Sequence, residues 1–452
     1  VVGVRKPAGD WAAARLPCLA LALALLAALA GCGEPQDGRV TIDFWAMGRE
    51  GEVVQALTQE FERRNPNIRV RVQQIPWSAA HEKLLTAYAG DTMPDVFQLG
   101  TTWVPEFVAL DAISPLDQRV AASPGVAASD FFPGIVDSNQ VGGHLWGLPW
   151  YVDTRLLFYR RDILSRAGHP EPPRTWDEWR NAMAAVKRLV GPDADAIVLP
   201  SNEWAPVVIL ALQQGADLLQ GDAECGHFEG PGFRKALAFY LSMFKDGFAS
   251  ARTGAEIANL YQEFANGRFA MYISGPWNLG EFASRMPAEL QDAWATAPMP
   301  SPDQRYPGVS LAGGASLAIR RTSPHQDAAW KLIEFLGATA QQVRFYEVSG
   351  NLPARTAAWQ DPALAGNRRA RAFFEQLQRV RSTPKIPEWE QISAAITRRV
   401  DQLVRGDRTL DAALQALDAD VDQILEKRRW LLHRQAGGAA GDVCGRLRTA
   451  AS

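Results

Sequence analysis

A chain of 452 residues has room for two or three domains of ordinary size. With 47% hydrophobic and 21% charged residues, it has the composition of a globular protein with ample core material. Its formal net charge of −3 lacks the basic excess that neutralises phosphates, which argues against nucleic acid as a partner.

At the N-terminus, Arg5, Lys6 and Arg15 flank an unbroken Leu/Ala run from Leu19 to Ala30. The run is too short to span a bilayer but has the length of a signal-peptide core. It ends in Leu29-Ala30-Gly31-Cys32, which resembles a bacterial lipobox. Residues 1–31 are therefore expected to be a lipoprotein signal peptide, Cys32 the lipidated residue and 32–39 a polar tether. That places the protein on the periplasmic or cell-surface side of a bacterial membrane. Two cysteines remain in the body, Cys225 and Cys444. An oxidising compartment permits a disulfide between them, but nothing in the sequence requires it. No Cys or His spacing suited to a metal surrounds them, and His144 has no second ligand near it, so neither metal nor cofactor is expected.

Val40, Ile42 and Phe44 alternate with polar residues up to Trp45 and predict a strand. Val53, Leu57 and Phe61 mark one face of a helix that Asn65-Pro66 ends. Ile68, Val70 and Val72 predict a second strand, His81 to Ala89 a helix, and Asp95 to Leu99 a third strand. Strands alternating with helices imply an α/β domain whose ligands gather beyond the carboxyl ends of its strands. That rule selects Trp45 to Glu50 and Gln98 to Trp103. Asp43 points outward, solvated or paired across strands.

The stretch His144 to Arg161 then breaks the pattern, being rich in Trp and Tyr yet interrupted by Gly147 and Pro149. Linkers are usually polar, so this is either a crossing between domains whose aromatics line a cleft or a buried strand pair with a bend. Beyond it, Thr175 to Glu178 reads as a capping box opening a helix to about Val190. A strand follows at Ala196 to Leu199, with helices at Trp204 to Gln213 and Phe233 to Phe244. The strand Phe269 to Ile273 runs into Ser274-Gly275-Pro276-Trp277-Asn278. A Pro-rich passage, Pro298 to Pro307, reads as a second crossing. Ala315 to Ile319 is a strand and Gln326 to Leu336 a helix. The remainder is helical at Ala370 to Arg379, Glu390 to Arg405 and Leu410 to His433. Trp176, Trp179, Trp330 and Trp430 fall within helical patterns and are assigned to packing.

Several segments together resemble the extracellular solute-binding proteins of ABC importers, in the group of maltose- and trehalose-binding proteins. They include VTIDFWAMGREGEVVQALTQEFERRNPNIRV, MPDVFQLGTTWVPEF, GHLWGLPWYVDTRLLFYRRDIL, PRTWDEW, FANGRFAMYISGPWNLGEF, GGASLAI and SGNLPA. The GREGE variant looks most like the α-glucoside-binding members. The resemblance implies a two-lobed α/β fold of the type II periplasmic-binding-protein class, each lobe a mixed sheet flanked by helices, closing on a sugar by a hinge motion. It implies lobe one at 40–152 plus 306–354 and lobe two at 153–305 plus 355–435. For the tail at 436–452, disorder is one reading of the Gly/Ala-rich composition.

A sugar presents hydroxyls around its rim and a patch of C–H bonds on each face, so its site needs flat aromatics and charge-assisted hydrogen-bonding groups. The candidates are Trp45, Arg49, Glu50, Asp95, Gln98 and Trp103 in lobe one. The crossing adds Trp150, Tyr151 and Asp153, and lobe two adds Trp204, Trp277 and Asn278. Gly313 and Gly314 could let backbone approach a ligand closely, and Arg355 and Trp389 are later additions. Arg155 is free to do no more than pair with Asp153. The expected function is capture of an α-glucoside such as trehalose or maltose by a lipid-anchored monomer that delivers it to the importer's permease subunits. The alternatives are a lipid-anchored glycoside hydrolase, since carboxylates beside aromatics also suit that chemistry, and a binder of another solute such as a polyamine.

Overall fold

The computed structural model describes residues 2–3, 38–257, 259–435 and 443–451. Cys32 and the expected signal segment lie outside the described residues. No helix among the described residues is long and apolar enough to cross a membrane.

Two sheets organise the molecule. Their strands are, in chain order, β1 (Val40–Met47), β2 (Ile68–Ile75), β3 (Val96–Gly100), β4 (Leu148–Asp153), β5 (Leu156–Arg160), β6 (Asp195–Val198), β7 (Phe269–Ser274), β8 (Trp294–Ala297), β9 (Gly313–Ile319) and β10 (Leu352–Pro353). The first sheet has the order β10-β4-β9-β3-β1-β2, and the second β8-β5-β7-β6. In β1, Ile42, Phe44 and Ala46 are fully buried while the residues between them are part-exposed, the alternation that identified the strand. It pairs in parallel with β2 from Val40↔Ile68 to Met47↔Ile75, and in parallel with β3. β9 runs antiparallel between β3 and β4, so the sheet is mixed. In the second sheet, β7 is parallel to β6 and antiparallel to β5. The helix Trp176–Val190 opens with the expected capping box, the Thr175 side chain accepting from the Glu178 N–H.

The stretch His144 to Arg161 spans the step from one sheet to the other. β4 belongs to the first sheet, β5 to the second, and only Thr154 and Arg155 separate them. The return passage lies later than expected. Pro298 to Pro307 stays with lobe two, where Ser301 exchanges backbone hydrogen bonds with Arg174 and Trp176. The chain returns through Ser310–Leu311, which pair in parallel with Val380–Arg381. The third passage is also later than Ala354. Arg355 donates from its backbone to Gln342 and from Nε to the Gly337 carbonyl, and Trp359 packs edge-on against Phe132, all within lobe one. The helix Arg368–Leu377 then bridges the lobes, with Phe374 against Phe132 and Phe373 against Phe158 of β5.

The C-terminal helical region is two helices, Leu410–Ile424 and Glu426–Gln435, rather than one. The described part of the tail is helical too. Helix Val443–Ala451 is joined to the body by a disulfide between Cys444 and Cys225, whose Cα atoms are 5.6 Å apart. An Arg448–Asp422 ion pair holds the same segment.

Candidate functional site

Between the two sheets lies a cleft of about 850 Å³, within the range of small-ligand sites. Its lobe-one wall begins where β1 ends. The Met47 N–H donates to Gln98 Oε1 at 2.7 Å, and Gly48 turns the chain with a φ of +52° into the helix Gly48–Val53. A Cβ at Gly48 would also sit 2.6 Å from Trp77 Cδ1, so glycine serves both the turn and the packing. Glu50, in the first turn of that helix, is buried and accepts hydrogen bonds from Asn351 Nδ2 at 2.8 Å and Trp77 Nε1 at 3.3 Å. Arg49 is exposed at the rim. Beyond β3, the turn Thr101–Trp103 carries Trp103 into the cleft, tilted against Trp77 with ring centres 5.8 Å apart.

The floor is made by the crossings. Gln98 Nε2 donates to the Tyr151 hydroxyl at 2.9 Å. Burial, reinforced by the nearby Glu50 and Asp153 charges, pushes the Tyr151 hydroxyl well above its usual range, so it stays protonated. Burial also raises the Asp153 carboxyl, while Arg155, donating at 2.9 Å, pulls it back down. Gly313 and Gly314 line the cleft, but strand packing already demands them. A Cβ on Gly314, at φ +132°, would lie 2.3 Å from the Tyr151 carbonyl, and one on Gly313 would lie 2.7 Å from that of Asp153.

The lobe-two wall carries Trp204, just before the helix Ala205–Gln213, and Trp277, the first residue of Trp277–Arg285. Glu281 and Ser284 follow Trp277 by four and seven positions and so share its side of the helix and the cleft wall. Two flat aromatic surfaces thus stand on each wall, with the buried Glu50 carboxylate on one side and the half-buried Asp153 carboxylate on the floor.

The sequence profile of the bacterial extracellular solute-binding proteins matches residues 47–343. A solved structure described as the sugar-binding protein MalE from the phytopathogen Xanthomonas citri is 50% identical, with a TM-score of 0.84, covering 87% of this chain and 99% of that one. The chain belongs to the bacterial extracellular solute-binding protein family. It is also 26% identical to the diacetylchitobiose binding protein DasA of Streptomyces coelicolor, over 86% of this chain and 94% of the relative. A solute-binding protein from Thermotoga lettingae bound with α-D-tagatose shares 26% identity at a TM-score of 0.72, over 85% of this chain and all of the other.

In this solute-binding protein the cleft gathers Arg49, Glu50, Trp103, Tyr151, Asp153, Trp204, Trp277, Gly313 and Gly314 of the expected set. The others lie elsewhere. Trp45 is half-buried on β1 with the Lys83 ammonium 5.0 Å from its ring centre. Asp95 is a structural acceptor for the Asp43 N–H and the Ser323 hydroxyl, and Gln98 lies under the floor. Trp150 is fully buried, stacked on Phe345 at 4.4 Å and tilted against Phe44. Successive strand residues face opposite ways, so once Tyr151 and Asp153 point to the cleft, Trp150 cannot. Asn278 is buried beside the exposed Trp277, donating to Ser274 Oγ and accepting from the Tyr261 hydroxyl. Arg355 is buried among lobe-one carbonyls. Trp389 is fully buried behind Trp204, edge-on at 5.4 Å.

Trp77 was missed. It follows β2 across Pro76, a strand-end position that the rule selecting Trp45 to Glu50 would also have found. Glu281 and Ser284 were recoverable from their helical spacing after Trp277. Asn351 was not, since its bond to Glu50 joins residues 301 apart in sequence.

Proposed function

We propose that this protein captures a neutral α-linked glucose disaccharide, maltose or trehalose in type, and delivers it to the permease of an ABC importer while anchored outside the bacterial membrane by a lipid on Cys32. The observation that carries the reading is the cleft's make-up: two indoles on each wall, Trp77 and Trp103 on one and Trp204 and Trp277 on the other, around the Glu50 and Asp153 carboxylates. Indoles cover the C–H faces of a pyranose, and carboxylates accept strongly from its hydroxyls. The Xanthomonas citri relative, described as a sugar-binding protein, supports the same ligand class. The two-residue connection at Thr154-Arg155 gives the lobes a place to bend, which suits closure over a bound solute.

Screening maltose, trehalose, their longer α-glucans and the β-linked cellobiose by thermal shift and calorimetry tests this. The expected result is binding at micromolar affinity or tighter, about −8 kcal/mol, for an α-linked glucoside, with a raised melting temperature by mass action. No α-glucoside binding would refute the assigned ligand. The hydrolase alternative makes a different demand: cleavage products after long incubation, lost in Glu50→Gln.

A further inference from the structure

Trp277 is the most exposed indole of the cleft, at 41%, yet its ring is not bare. The Arg155 guanidinium lies 4.2 Å from the ring centre. The same guanidinium donates from Nη1 to both carboxylate oxygens of Asp153, at 2.9 and 3.2 Å. Its backbone sits in the connection between the lobes, where the Arg155 carbonyl accepts from Ser310 Oγ at 2.7 Å and so ties the outgoing strand to the returning one. One side chain therefore springs from the hinge, pairs with a carboxylate at the end of the lobe-one strand β4 and stacks on an indole of lobe two.

We infer that Arg155 is a displaceable plug, which occupies the Trp277 ring and the Asp153 carboxylate that a neutral sugar must take to bind. This rests on the sugar-binding reading of the cleft. A pyranose can replace both contacts at once, its C–H face displacing the guanidinium from the indole and its hydroxyls displacing the N–H donors from Asp153. An apolar ligand could replace only the first and would leave Asp153 unpaired, which is costly for a carboxylate in this setting. An anionic ligand would bind the guanidinium instead of removing it. The released side chain has a second carboxylate within its electrostatic reach, Glu203, whose burial raises it and whose charged form Arg155 already favours. The plug thus sets affinity for neutral sugars by a competition inside the site.

The test is Arg155→Gln, which keeps a donor for Asp153 and removes the cation from the indole, with Arg155→Ala as a second variant. Protein labelled with fluorotryptophan gives a fluorine resonance for Trp277, assigned by its loss in Trp277→Phe. The expected result is a Trp277 resonance that moves in both ligand-free variants towards its position in the sugar-bound wild type. Binding of the sugar found by the screen should tighten about three- to thirtyfold, the factor that losing a partly desolvated cation–π contact implies. Weaker binding by the variants, or a Trp277 resonance that neither the substitutions nor sugar displaces, overturns the plug. If the wild type binds no sugar at all, the ligand reading fails, and the resonance in the ligand-free variants still decides whether Arg155 covers the ring.

Discussion

Gly275 gives a way to move the Trp277 platform without touching the indole itself. A Cβ built on Gly275 falls 1.8 Å from Trp277 Cζ3 and 2.1 Å from Cη2, far inside contact distance, so in Gly275→Ala the ring must shift. The Gly275 backbone is not in the left-handed region, so alanine fits it without strain and slightly restrains the unfolded chain. The ring is 41% exposed and can swing away at little cost to folding, less than about 1 kcal/mol. The effect on binding is larger. Aromatic stacking contributes about 1 kcal/mol beyond burial, and covering about a quarter of the roughly 200 Å² that an indole can bury adds a similar amount at about 25 cal/mol/Å². The total, about 2 kcal/mol, is roughly a thirtyfold rise in Kd. Calorimetry with the sugar identified by screening reads it, with Trp277→Ala as the reference and thermal melting as the control for folding. If Gly275→Ala binds within twofold of wild type while Trp277→Ala loses tenfold or more, the clash is being absorbed by the backbone and the reasoning about the indole's seat is wrong.

Two further outcomes concern stability. The Cys225–Cys444 disulfide spans 219 residues, and closing so long a loop restrains the unfolded chain by up to about 5 kcal/mol. Replacing both cysteines with serine should lower the melting temperature by roughly 5–10 °C; a change below about 1 °C in calorimetry would show that helix Val443–Ala451 unfolds independently of the body. His81 donates towards Glu106 at 2.6 Å, and that hydrogen bond raises its pKa above the ordinary 6.5. A raised folded-state pKa means stabilisation that is complete below the unfolded value and fades as pH climbs through the folded one. The melting-temperature gap between wild type and His81→Gln should therefore be widest near pH 5–6 and close above about pH 8, and a gap that widens with pH would contradict the assignment.

The strands, the capped helix at Thr175 and the strand-end location of Glu50 and Trp103 were legible because each follows from local periodicity or from a rule about where sheets expose their loops. What the sequence hid was of two kinds. One is facing: Trp150 and Tyr151 are neighbours on a strand, where only one can point to the cleft, and Trp277 and Asn278 are neighbours on a helix, about 100° apart around its axis, where one lines the cleft and the other is buried. Nothing within either pair says which. The answer depends on Phe345, which stacks on Trp150, and on Tyr261 and Ser274, which hold Asn278. The other is distance along the chain. Trp389 hides behind Trp204, and Asn351 fixes Glu50, across separations that no pattern in one sequence connects.

The same distinction explains the shifted lobe boundaries. A composition reading placed the return crossing at the prolines, yet backbone bonds from Ser301 to Arg174 and Trp176 keep that passage in lobe two. The passage that joins the lobes, Ser310–Leu311, has no Pro or Gly and pairs with Val380–Arg381. Three strands of connection thus run side by side: Thr154-Arg155, Ser310–Leu311 and Val380–Arg381. The first two are tied by the Ser310 hydroxyl, and the last two by their parallel ladder. Next to them, Phe373 and Phe374 on one helix press into the two lobes in turn. Bending at Thr154-Arg155 must therefore carry the other two connections with it, and any rotation of the lobes passes through the residue that holds both Asp153 and Trp277. A ligand that releases Arg155 acts on the site and on the hinge in one step.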